Sequence, residues 1–171
     1  MILTSAAQRR ELLERVRTIA MVGASSKPLR PSYTVFSYLR RQSGYDVAPI
    51  NPTIHDIDGV EAFPSLAAYA AQRGAPDVVD VFRRPAELVA VVNEAIAAGA
   101  KAIWFQYGVV NDEAIALADA AALDVVVDRC MKVEHARFCG GLSMGGLNSG
   151  IITSRWRHAT AATTREVSPK R

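Results

Sequence analysis

The chain has 171 residues, half of them hydrophobic and 22% charged, with a formal net charge of +3. That length suits one domain with a sizeable core and would cramp two, and so mild a basic excess falls short of the basic, aromatic-studded stripe of a nucleic-acid binder. No apolar run would span a bilayer, no signal-peptide pattern opens the chain, and two cysteines make no disulfide framework, so a cytoplasmic protein without membrane or nucleic-acid partners is expected.

In chain order, a helix is expected from Ser5. Its spacing to Gln8 is that of a capping box, and Leu12, Leu13 and Val16 supply an apolar face. Ile19–Gly23 then reads as a buried strand that stops on a glycine. A loop of small residues follows, and a helix is expected over Ser32–Arg41. Strand, glycine turn and helix N-terminus make the anion-binding corner of a nucleotide-binding α/β domain, where unpaired backbone N–H groups face the ligand. The loop is neither G-x-G-x-x-G nor a Walker A sequence. Gly23 permits a tight turn, and Ala24 and Ser25 keep the backbone approachable. Ser25, Ser26 and Ser32 offer hydroxyl groups, while Lys27 and Arg30 bring positive charge. The competing reading is a plain strand-to-helix turn.

A second strand is expected over Asp46–Ile50. An NAD-binding domain usually carries an acidic residue near this strand end to hold a ribose hydroxyl. Here Asn51-Pro52 follows instead, which counts against NAD. After a helix over Leu66–Gln72, a third strand over Val78–Phe82 runs into Arg83-Arg84-Pro85 at the same crevice. Phe82 could meet a base there and Arg83 or Arg84 a phosphate; the plainer alternative is a buried Phe82 and two solvated arginines.

The next helix, Ala86–Ala98, has Pro85 at its first turn, a stripe of Leu88, Val89, Val92 and Ile96, and Gly99 as its stop. A fourth strand over Ala102–Gln106 places Trp104 and Phe105 in the core, and Gly108 just beyond it suggests a close backbone approach. Asn111 is an N-cap for Asp112–Ala121, whose first-turn Asp112 and Glu113 complement the helix dipole. The last strand is Val125–Asp128. Beyond Arg129 no further periodic element is expected, and a glycine-rich stretch, 139–150, leads into a basic tail that reads as disordered.

Because the strands are continuous apolar runs, both sheet faces should be covered. Their alternation with helices implies an α/β fold, a Rossmann-like doubly wound five-stranded parallel sheet. Catalytic groups are sparse. His55, His135 and His158 share no metal-ligand spacing. Cys130, with Glu134-His135 nearby, could form a nucleophilic pair, although a small, partly buried cysteine is the simpler account. The apolar helix faces are compatible with a homo-oligomer.

Six blocks in order carry a family resemblance: Val22-Gly23-Ala24-Ser25-Ser26-Lys27-Pro28; Arg30-Pro31-Ser32; Pro49-Ile50-Asn51-Pro52; Asp80-Val81-Phe82-Arg83; Ala100–Val109; and Val127-Asp128-Arg129-Cys130. Over about residues 12–137 the chain resembles the stand-alone CoA-binding domain proteins, which are similar to the N-terminal domain of the succinyl-CoA synthetase α subunit. The resemblance implies a CoA-binding domain over 1–137 and an extension over 138–171. Coenzyme A or an acyl-CoA would be held by the first loop, with Asn51 and Pro52 beside it, Val81, Phe82 and Arg83 near the adenine end, and Gly108 across the crevice. The synthetase carries its phosphorylated histidine in a second domain for which this chain has no room, so a non-catalytic binding module is expected. An NAD(P)-dependent oxidoreductase or redox sensor, and an interaction protein with a vestigial pocket, are the alternatives.

Overall fold

The computed structural model describes residues 1–139; the glycine-rich stretch and basic tail, apart from Cys139, lie outside the described residues. The first helix, α1 (Ala6–Arg15), opens with the expected capping box between Ser5 and Gln8. Then come β1 (Thr18–Val22), α2 (Pro31–Gln42), β2 (Asp46–Ile50), a hairpin of β3 (Asp56–Ile57) and β4 (Val60–Glu61), and α3 (Leu66–Arg73). The remainder is β5 (Val78–Val81), α4 (Leu88–Ala97), β6 (Ala102–Phe105), α5 (Asp112–Ala120), β7 (Asp124–Val126) and α6 (Met131–Phe138).

Five of these strands form one parallel sheet in the order β2-β1-β5-β6-β7. The chain is therefore a doubly wound, Rossmann-like α/β domain, as its alternating pattern implies. Successive strand residues face opposite layers. Ile19, Met21, Val78 and Trp104 pack under α1, α2 and α6, while Ala20, Val22, Val79, Val81 and Phe105 pack under α3, α4 and α5. Both faces are covered, which is why the strands are apolar without alternating. Among the described residues no helix is long and apolar enough to cross a membrane.

Three expectations need correction. The buried stripe of α4 is Leu88, Val91, Val92 and Ala95, and Ile96 is 37% exposed. A 3-10 turn over Pro85–Glu87 precedes this helix, and Val89 of the expected stripe packs partly buried against the same core. The hairpin was not anticipated. Its turn sets Asp58 and Gly59 at positive φ, the arrangement a two-residue hairpin favours, and the Asp58 carboxylate accepts from the Tyr33 hydroxyl at 2.9 Å, seating the hairpin on α2.

The third correction is α6, which forms where no element was expected. Its Glu134, His135 and Arg137 are all buried, so no apolar period marks it. Glu134 Oε2 accepts from Arg9 Nε of α1 at 2.8 Å, and Glu134 Oε1 accepts from Arg137 Nη1 at 3.4 Å. His135 lies edge-on to the rings of Tyr38 and Tyr45, with its Nδ1 3.2 Å from the Tyr38 hydroxyl. Charge pairing docks this helix together with Met131 and Phe138, which are buried at its two ends.

Replacing Glu134 by Gln should leave two buried guanidinium groups without a counter-charge. A loss of about 3–5 kcal/mol is expected, read as a lower urea midpoint at an unchanged m-value.

Candidate functional site

The strand order reverses between β1 and β5, so the crevice of this sheet lies outside the carboxyl ends of those two strands. Gly23 occupies that point. Its N–H donates to the Ile50 carbonyl of β2 at 3.1 Å, while the Phe82 N–H, just past β5, donates to the Val22 carbonyl at 2.8 Å. Gly23 has φ +81°, and a Cβ there would collide with the Phe82 carbonyl oxygen and lie 2.9 Å from its carbon. Glycine is thus demanded twice, by the backbone conformation and by the close passage of a neighbouring strand end.

The same Cβ position is 3.3 Å from Cδ of Arg83. The Arg83 side chain therefore lies along the glycine turn. Beyond the turn, the backbone N–H groups of Ala24, Ser25 and Ser26 donate to no described residue. The Ser25 hydroxyl accepts from the Lys27 N–H at 3.2 Å, which folds the loop back on itself before α2 begins. Lys27 and Arg30 are exposed, and Ser32, in the first turn of α2, is buried.

Asn51 holds the loop from the other side. Its Nδ2 donates to the Ala24 carbonyl at 2.7 Å, and its Oδ1 accepts from the Thr53 N–H at 2.9 Å. With both ends of its amide engaged, Asn51 ties the end of β2 to the loop. Pro52, with Thr53, His55 and Glu61, lines a hollow of about 290 Å³ between β2 and the hairpin.

Lys27, Arg30 and Arg83 form no ion pair among the described residues. Arg84 pairs with Glu87 at 2.8 Å and stands in solvent, the plainer of its two readings. The side chains of Ala24 and Val81 point into the core, and Phe82 is half-buried against the layer of α1, α2 and α6. Gly108 sits apart from the turn. A Cβ there would meet no described atom within 4 Å, so its φ of +72° is what requires glycine; its N–H donates to Asp128 Oδ1 at 3.0 Å.

Asp80 was quoted in the sequence only as part of a motif, yet it is the most unusual group beneath the site. It shares a row with Met21 and Trp104 and is 0% exposed. Gln106 Nε2 donates to its Oδ1 at 2.7 Å, and its Oδ2 has no partner. Burial pushes its pKa up to about 7, against the hydrogen bond from Gln106. A lone acid inside Val78-Val79-Asp80-Val81 is the sequence signal for it. Burial also raises the thiol of Cys130 and so disfavours the thiolate. Among the described residues no three His, Cys, Asp or Glu side chains gather as a metal site.

These features define a doubly wound α/β domain whose switch-point turn carries backbone N–H groups and cationic side chains without partners among the described residues. Residues 17–136 match the family described as CoA binding domain, and the chain belongs to that family. An uncharacterized protein of Bacillus subtilis, YneT, is 39% identical over 132 residues, which covers 77% of this chain and 95% of that one. A solved structure of a hypothetical protein from Pyrococcus horikoshii superposes with TM-score 0.74 at 41% identity, covering 80% of this chain and 93% of that one. The apo form of a dinucleotide-forming acetyl-coenzyme A synthetase from Candidatus Korarchaeum cryptofilum matches with TM-score 0.50 at 25% identity, over 63% of this chain and 25% of its own.

Replacing Gly23 by Ala should cost about 2–4 kcal/mol, from positive φ and overpacking together, measured by urea denaturation. For Asp80 the folded pKa lies above the unfolded value. The unfolded state ionises first as pH rises from about 4 to about 7, so this group lowers stability across that window and adds no slope above it. Asp80→Asn should flatten the urea midpoint between those pH values.

Proposed function

We propose that residues 1–137 bind coenzyme A or an acyl-CoA as a non-catalytic module, with the phosphates held at the Gly23 turn. The observation that carries this reading is Arg83 lying along Gly23, where the N–H groups of Ala24, Ser25 and Ser26 have no acceptor among the described residues. Helix α2 begins just beyond, so its dipole adds to the pull on an anion. Coenzyme A bears a diphosphate and a 3′-phosphate, which suits a site with Lys27, Arg30 and Arg83 all unpaired.

The end of β2 supports this choice over NAD. The position where a ribose-binding acid is expected carries Asn51, whose amide is already committed to Ala24 and Thr53. The thiol of Cys130, held in its protonated form by burial, argues against an acyl-transfer role.

Calorimetric titration with coenzyme A, acetyl-CoA, NAD and NADP tests the proposal. Coenzyme A should bind, and Arg83→Ala should weaken it about 10- to 100-fold, the range for a lost charge-assisted hydrogen bond. The double replacement of Lys27 and Arg30 by Ala should weaken it further. Tight NAD binding with no response to coenzyme A would overturn the reading.

A further inference from the structure

We propose that the buried Asp80 carboxyl couples anion binding at the Gly23 turn to uptake of a proton. Asp80 belongs to β5, two residues before Phe82, whose carbonyl presses on Gly23, and three before Arg83, which lies along it. The carboxyl sits on the sheet face below that turn, in the row Met21–Asp80–Trp104. Its hydrogen-bonding support comes from uncharged amides, the Gln106 side chain at 2.7 Å and the Val81 backbone N–H, and its Oδ2 has no partner among the described residues.

The surroundings supply no compensating cation among the described residues. Gln106, the residue just past β6, is the only side-chain partner from that side. The layer of α2 contributes Ser32, Val35 and Phe36, none of them charged. From the start of α6 come Met131 and the Cys130 thiol, which the Asp80 charge itself helps to raise. Glu134 is already paired with Arg9 and Arg137. Arg129 spends a donor on the Asp128 carbonyl, and the Lys132 ammonium lies 6.0 Å from the centre of the Tyr38 ring. Lys27, Arg30 and Arg83 belong to the cradle itself.

An anion in the cradle adds negative charge above an acid that has nothing to balance its own. Like charges oppose ionisation, so the bound phosphate favours protonated Asp80. By linkage, ionised Asp80 must weaken the anion to the same degree. The step is a simple protonation: a proton leaves solvent and adds to the Asp80 carboxylate as the ligand binds. A unit charge about 10 Å from a phosphate, at an effective dielectric near 20, changes affinity about tenfold.

The inference rests on the coenzyme A reading only for the identity of the anion. In the full chain, carboxyl carbon NMR follows the Asp80 titration with and without inorganic pyrophosphate, and calorimetry with coenzyme A in two buffers of different ionisation enthalpy counts protons. Pyrophosphate should move the Asp80 midpoint upward. Coenzyme A should bind with proton uptake near neutral pH, and its affinity should fall about tenfold more between pH 6 and 8.5 than it does for Asp80→Asn. Titration of the ligand's own phosphates is common to both proteins and cancels. If coenzyme A binds with one pH profile in both proteins, the coupling is wrong and the binding reading stands. If coenzyme A does not bind, the binding reading fails and the pyrophosphate arm decides: an upward shift supports the coupling, and an Asp80 titration unmoved by pyrophosphate overturns it.

Discussion

At the reversal point of the sheet the Phe82 carbonyl passes so close to Gly23 that no side chain fits between them. β1 and β5 are neighbours in the sheet, and the chain leaves them toward opposite layers. The turn after β1 must therefore bend sharply beside the end of β5, which only a glycine at positive φ allows. Everything in the candidate site follows from that bend. It turns the N–H groups of Ala24, Ser25 and Ser26 away from the ladder, lays Arg83 against the loop, and brings Ala24 within reach of Asn51. Three strand ends are fastened together there, so the cradle is held by sheet geometry more than by its own loop.

Charge is handled in two ways inside this small domain. Under α6, Glu134 is satisfied by two arginines, and the group works as a clamp between α1 and α6. Under the Gly23 turn, Asp80 has only uncharged amides for company, and burial pushes its pKa up to about 7. The two differ in what surrounds them: α1 brings a guanidinium to Glu134, while apolar side chains and uncharged polar groups close over Asp80. Cations elsewhere follow the same division, with Arg73, Arg84 and Lys101 in ion pairs and Lys27, Arg30 and Arg83 without one among the described residues.

Most of the sheet was legible in the chain. Five apolar runs of four or five residues, the first four each followed by a helical pattern, suffice for a doubly wound fold, and the caps at Ser5 and Asn111 formed as their spacing indicates. The hairpin was missed: Ile57-Asp58-Gly59-Val60 sets a turn pair between apolar residues, but its two-residue strands carry almost no period. α6 was hidden for a different reason. Only Met131 and Phe138 at its ends are apolar and buried; between them the buried residues are an acid, a histidine and an arginine, which a search for apolar periodicity reads as surface.

Local pattern was enough for the class of fold and the order of the five sheet strands with the helices between them, because strand periodicity, caps and glycine turns are short-range properties of the chain. The tertiary structure alone decided which of the loop's neighbours matter. Sequence separates Gly23 from Phe82 and Arg83, Asn51 from Ala24, and Asp80 from Gln106 by more than twenty residues, and only strand pairing sets them in contact. Burial, which turns Asp80 from an ordinary acid into one that titrates near neutrality, is a property of that packing.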